Sequence, residues 1–198
     1  MCTIDGVNGE ARAMDYFNAM WRVLRIEEKV YPEIYSRGLT SRYAMLNVFI
    51  LGLLYGLFSL SFLSAELFQD FDPASVLITK VIVVVTGIFV AFLLHLGAAF
   101  LFWTFCRAMG GEVRFIPTYF NLGVAVVPLW LAVPGLTALR AGWHNPLIAV
   151  YTAAAGVYAF SSFFIAAKST FGYSYKKMCI AMAMMLVFTV SFLALWLG

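Results

Sequence analysis

The chain has 198 residues, of which 63% are hydrophobic and only 12% charged, with a mean hydropathy of +0.90. Soluble domains average about 45–50% apolar and about 25% charged residues, so this composition excludes an ordinary soluble globule and a disordered tail. A net charge of +3, dispersed along the chain, excludes a nucleic-acid binder, and three cysteines without paired spacing exclude a disulfide framework.

Residues 1–43 carry six basic side chains (Arg12, Arg22, Arg25, Lys29, Arg37 and Arg42) and six acidic ones, with no early apolar core. A signal peptide is therefore not expected here. Met14, Phe17, Trp21 and Leu24 recur at helical spacing, while Arg22, Arg25, Glu27 and Glu28 fall mostly off that stripe. The pattern predicts a cytoplasmic amphipathic helix whose stripe faces the membrane surface, the bundle or a partner, with Pro32 ending it.

From residue 44 onward the charges all but vanish. Uncharged stretches separate Arg42 from Glu66, Lys80 from Arg107, Arg114 from Arg140, and Arg140 from Lys168, and the chain after Lys177 has none. A spanning helix needs ~20 mostly apolar residues to cross ~30 Å of hydrocarbon. Five windows meet that length, at about 44–65, 80–106, 118–138, 147–167 and 179–197. They lack strand alternation and far exceed the ~10 residues of a barrel strand. The expected fold is all-α: a five-helix transmembrane bundle over 44–198, preceded by the amphipathic segment 1–43.

The first window contains Gly52 and Gly56, a small-xxx-small pair that lets helices approach closely. Internal packing is the expected use and homodimerisation the alternative. Ser59, Ser61 and Ser64 can bond to the preceding turn. The acidic residues Glu66, Asp70 and Asp72 follow.

His95 lies near the middle of the second window. Intramembrane ionisable groups are costly and are candidates for function by default. Its neighbours at helical spacing are Ala91, Ala98 and Ala99, and no acidic partner occurs at membrane depth in any window. The reading is a neutral His95 bonded to a facing backbone or hydroxyl group, with proton or substrate handling as the alternative. Trp103 and Arg107 suit the cytoplasmic interface, and Gly110-Gly111 the helix stop.

Pro117 suits a first helical turn, whereas Pro128 and Pro134 fall inside the third window and predict a kink or break. Asn145-Pro146 opens the fourth. The loop from Lys168 to Lys177, with Tyr173, Tyr175 and Lys176, reads as an anchor to anionic lipid. Met182, Met184 and Met185 read as adaptable packing in the last window.

Basic residues set the orientation. Eleven fall in the N-terminal region and in the loops near Arg107 and Lys168; only Lys80 and Arg140 lie on the opposite side. The N-terminus is thus expected in the cytoplasm and the C-terminus outside. Cys2, Cys106 and Cys179 then sit at or near a reducing face. No phosphate-binding loop, nucleophile elbow or metal-ligand spacing is present, so no catalytic residue, cofactor or metal is expected.

Leu46–Ser59 (LNVFILGLLYGLFS), His95-Leu96 and Trp103, Gly110-Gly111, and Val127-Pro128-Leu129 together resemble the Yip domain family of Rab-interacting membrane proteins, more closely its prokaryotic branch. The resemblance spans about residues 40 to 197. It implies five transmembrane helices with a cytoplasmic N-terminus, and a bacterial relative would lie in the cell inner membrane. Eukaryotic relatives associate with Rab-type GTPases in vesicle formation and Golgi organisation; the long acidic or proline-rich cytoplasmic region they often carry is missing here. For the prokaryotic branch the resemblance carries no activity and no catalytic residues.

The expected function is that of a non-enzymatic scaffold or accessory subunit in a membrane assembly. Its partners would be the lipid bilayer and other membrane-protein subunits or further copies of the chain. The alternative is an oligomeric channel or transporter for a small ion, proton or lipid, with His95 in its path.

Overall fold

A computed structural model describes residues 16–62, 72–171 and 175–197. Met14, Ser64, Glu66, Asp70 and Tyr173 lie outside them. Among the described residues the regular structure is helical, in eight pieces. These are α1 (16–24), α2 (Val30–Ser36), α3 (Thr40–Phe62), α4 (Pro73–Ala108), α5 (Phe115–Val124), α6 (Leu129–Arg140), α7 (Pro146–Phe171) and α8 (Tyr175–Leu197).

Local chemistry sets the helix ends. Asp72 caps α4, accepting from the Ala74 and Ser75 N–H groups at 3.0 and 3.2 Å, and Pro73 occupies the first turn, where a missing N–H costs nothing. The Ser75 hydroxyl, followed by the first-turn N–H groups, holds the Asp72 carboxyl below the usual carboxylate range. Gly110 stops α4 with φ +79°, a left-handed conformation that favours glycine. Asn145 opens α7 by accepting from the Leu147 N–H at 2.9 Å.

Among the described residues three helices are long and apolar enough to cross a membrane: α3, α4 and the Pro146–Ser169 stretch of α7. Helix α4, at 36 residues, exceeds the expected 80–106 window at both ends. Its outward residues, among them Leu77, Ile82, Phe89, Leu93 and Phe100, are exposed and apolar, as a lipid-facing surface requires. The fifth window falls within α8.

The third window carries the break that Pro128 predicts. It is not one helix over 118–138 but two, α5 and α6, bent by 78° at a four-residue break. Pro128 has no N–H to give the carbonyl of Val124, so the helical ladder stops there. Instead, Val126 O and Val127 O accept from Leu129 N (2.8 Å) and Trp130 N (3.1 Å), which starts α6 in a new direction. Residues 121–128 are nevertheless buried throughout.

Helices α1 and α2 fill the space left by that bend. Met20, Val23, Val30, Tyr31 and Ile34 pack in one cluster with Tyr43 and Ala44 of α3, Val124, Ala125 and Val127 at the break, and Ala166 of α7. The lead-in therefore docks on the bundle, through a face one residue away from the predicted stripe.

Candidate functional site

The buried polar side chains converge on the break. Asn47, fully buried on α3, directs its amide Nδ2 at Gly123 O (3.4 Å) and Val124 O (3.3 Å), the carbonyls at the end of α5. Its Oδ1 accepts from the Tyr16 hydroxyl of α1 at 2.7 Å, and its backbone carbonyl accepts from the Trp130 indole N–H of α6 at 3.2 Å. One α3 residue thus ties together α1, α5 and α6. Burial, with the neighbouring Tyr43 adding, pushes the Tyr16 hydroxyl up to about 12, so it stays a donor. Tyr31 holds the lead-in from the other side: its hydroxyl lies 2.9 Å from Ser162 Oγ of α7.

His95 sits one helix away from that centre. The ring is buried, its Nε2 lies 3.0 Å from the Tyr119 carbonyl of α5, and its centroid is 4.6 Å from the Tyr119 ring. A carbonyl only accepts, so the proton is on Nε2. Gly123, one turn beyond Tyr119, is the reason the ring fits: a Cβ there would lie 3.2 Å from His95 Nε2 and 2.6 Å from Ala44 Cβ. Asn121, which could have been a second polar group facing His95, falls two residues from both 119 and 123, on the other side of α5. Its Nδ2, like the Thr40 hydroxyl, is buried without a hydrogen-bond partner among the described residues.

Gly52 and Gly56 face inward, on α4. A Cβ on Gly52 would lie 2.5 Å from Ile88 Cα, and one on Gly56 2.7 Å from Val84 Cα; reciprocally, one on Gly87 would lie 2.9 Å from Gly56. The backbones are in contact, so this face is occupied within the chain.

The predicted stripe of α1 divides. Phe17 and Trp21 are 74% and 56% exposed, whereas Leu24 is half-buried against the core and accepts at its carbonyl from the Tyr158 hydroxyl of α7. Arg25 stacks on Trp21, its guanidinium carbon 5.4 Å from the ring centroid. Arg22 points to the other side, bridging Glu27 (2.8 Å) and Glu33 (2.6 Å). Those hydrogen bonds hold both carboxyls below their usual range and raise the Arg22 guanidinium. Beneath them is a small pocket lined by Asn18, Arg22, Glu33 and Tyr43.

The four residues expected at the cytoplasmic interface, Trp103, Arg107, Lys176 and Lys177, lie at the end of α4 and the start of α8. Trp103 donates to Val113 O at 2.9 Å and Lys177 donates to Met109 O at 3.1 Å, joining α4, the following loop and α8, while Arg107 and Lys176 are exposed. Cys106 is buried beside Met178, and Cys179 is exposed.

Sequence reasoning missed Asn47 and Tyr16. The available signal was a lone amide in the first window together with a proline four residues after Val124, the carbonyl that proline leaves open. Among the described residues no three His, Cys, Asp or Glu side chains come together as metal ligands would. Comparisons with protein-family models, curated proteins and solved structures gave no match.

Proposed function

We propose that this chain is a non-enzymatic membrane protein with five crossings that works as a scaffold or accessory subunit of a larger membrane assembly. The observation that carries the reading is α8. It buries Met178, Ala181 and Met182 against α4 and α7, yet leaves Ile180, Met184, Leu186, Val187, Phe188 and Val190 exposed. Beyond Met185 the described side chains of α8 are exposed and mostly apolar, a surface that another membrane helix would cover. The bent pair α5–α6 counts as one crossing and α8 as another. The eleven-to-two split of basic residues puts the N-terminus in the cytoplasm and the C-terminus outside. The resemblance to Yip domain proteins accords with this topology.

The buried polar groups support the non-catalytic part of the reading. His95, Asn47 and Trp130 are engaged with backbone carbonyls, which leaves them positioning helices rather than facing a substrate. Acid–base or metal chemistry needs convergent side chains.

The test is extraction of the chain from its native membranes in mild detergent, followed by mass spectrometry of the intact assembly. A stoichiometric protein partner, lost when Val187 and Phe188 are replaced by Ser, is the expected result. A homo-oligomer whose ion or proton flux in liposomes disappears with His95→Ala would overturn the scaffold reading in favour of a channel or transporter.

A further inference from the structure

We propose that the outer face of α1, made by Phe17, Trp21 and Arg25 with Lys29 in the adjoining turn, is a seat for anionic phospholipid headgroups. The inference rests on the membrane-embedded reading of the chain and extends it to a helix that is not itself a span.

Depth is the first argument. Tyr16, at one end of α1, bonds to Asn47, seven residues or ~10 Å along α3 from its start at Thr40. Leu24, at the other end, bonds to Tyr158, ten residues or ~15 Å along α7 before Lys168. Both ends of α1 are therefore tied to side chains inside the uncharged windows, while the turn that follows it, with Lys29, is tied through Glu28 to Lys168, at the charged end of α7. Two large aromatics exposed at that level suit the boundary between headgroup and acyl chain, where amphipathic rings collect.

Charge is the second argument, and it selects the lipid. Every described acid of the lead-in already has a basic partner: Glu27 and Glu33 bind Arg22, Glu33 also binds Arg37, and Glu28 binds Lys168 at 3.4 Å. Arg25 and Lys29 remain exposed on the outside of the same turn. The stacking of Arg25 on Trp21 uses the flat face of the guanidinium and leaves its edge N–H groups to meet a phosphate. A zwitterionic headgroup would offset that attraction with its own cation; an anionic one would not.

The test uses the full-length chain, first floated with vesicles of phosphatidylcholine alone, then purified with an equimolar mixture of phosphatidylcholine and phosphatidylglycerol. Native mass spectrometry then counts the lipids retained. The wild type is expected to float and to retain phosphatidylglycerol preferentially. R25Q and K29Q should each lower that preference by about fivefold, the effect of one basic residue at an anionic surface, and R25K, which keeps the charge but loses the stacked planar fork, should fall between wild type and R25Q. Bromolipid quenching of the wild type against W21F should place Trp21 at the headgroup boundary. Failure to float would remove the membrane reading itself. Flotation with equal retention of both lipids, or loss of a bound protein from F17S/W21S with lipid retention unchanged, would overturn the lipid seat alone.

Discussion

The Asn47 amide donates to the Val124 carbonyl at 3.3 Å, four residues before Pro128. That carbonyl is the one a continuous helix would have satisfied with the N–H of residue 128, which proline lacks. In a water-free interior an open carbonyl is expensive. The break in the third window therefore depends on a side chain from the first window, and that side chain depends in turn on Tyr16.

Asn47→Leu should be the most damaging single change in the membrane domain. It leaves Gly123 O, Val124 O and the Tyr16 hydroxyl unpaired, at ~1–3 kcal/mol for each buried group left unsatisfied. Tyr16→Phe should cost less, ~1 kcal/mol, by removing one hydrogen bond. Reversible unfolding in mixed micelles would measure both. The double variant should cost clearly less than the sum of the two; simple additivity would mean that Tyr16 and Asn47 act separately.

Gly52→Val should separate α3 from α4, because its side chain would have to occupy space held by the backbone at Ile88. Overpacking of this kind typically costs ~1–3 kcal/mol. Gly97, whose added Cβ would meet nothing within 4 Å, is the matched control on α4. Gly97→Ala should leave the midpoint of unfolding unchanged or slightly raised, while Gly52→Val lowers it.

Acid should loosen the lead-in. Glu27 and Glu33 have carboxyl groups depressed from the ordinary 4.5, with the Arg22 hydrogen bond the largest cause for each. A depressed carboxyl contributes stability that is complete above the unfolded-state value and is lost as the pH falls through the folded-state one. The contribution should thus begin to fade below about pH 4.5 and continue to fall as the two groups protonate. Both groups are exposed, so salt should weaken the effect. Protease cleavage in the turn after α1, followed from pH 6 downward, would report it. Arg22→Gln should cleave readily across the whole range.

His95→Phe should weaken folding and leave transport untouched. The ring space beside Gly123 and Tyr119 would be kept, but the bond to Tyr119 O would go, leaving the fold ~1 kcal/mol less stable. Unfolding midpoints and liposome flux measured side by side separate the two roles, since a carrier histidine would show the reverse pattern.

Much of this was legible in the residues. Gly110 stopping α4 and Asn145-Pro146 opening α7 are local signals, each acting within one helical turn, whereas the start of α4 at Asp72 and Pro73 lies ahead of the window expected from residue 80. Pro128 announced an interruption, yet proline sets where the ladder fails and not the direction of the next helix. The stripe Phe17, Trp21, Leu24 was also visible, but the docked face proved to be Met20 and Val23. Which side of a short helix is buried depends on the cavity it meets, here the space vacated by the bend of α5 away from α6.

What the sequence by itself determined is the helical character of the long uncharged windows, because in a lipid interior an apolar stretch must bond its own backbone within itself. What the tertiary structure decided is which groups complete one another across helices. Asn47 serves Val124, Tyr16 holds Asn47, Gly123 admits His95, and Gly52 meets Ile88. These pairings join residues far apart in the chain, and no periodicity or local propensity encodes a contact that exists only once the helices have packed.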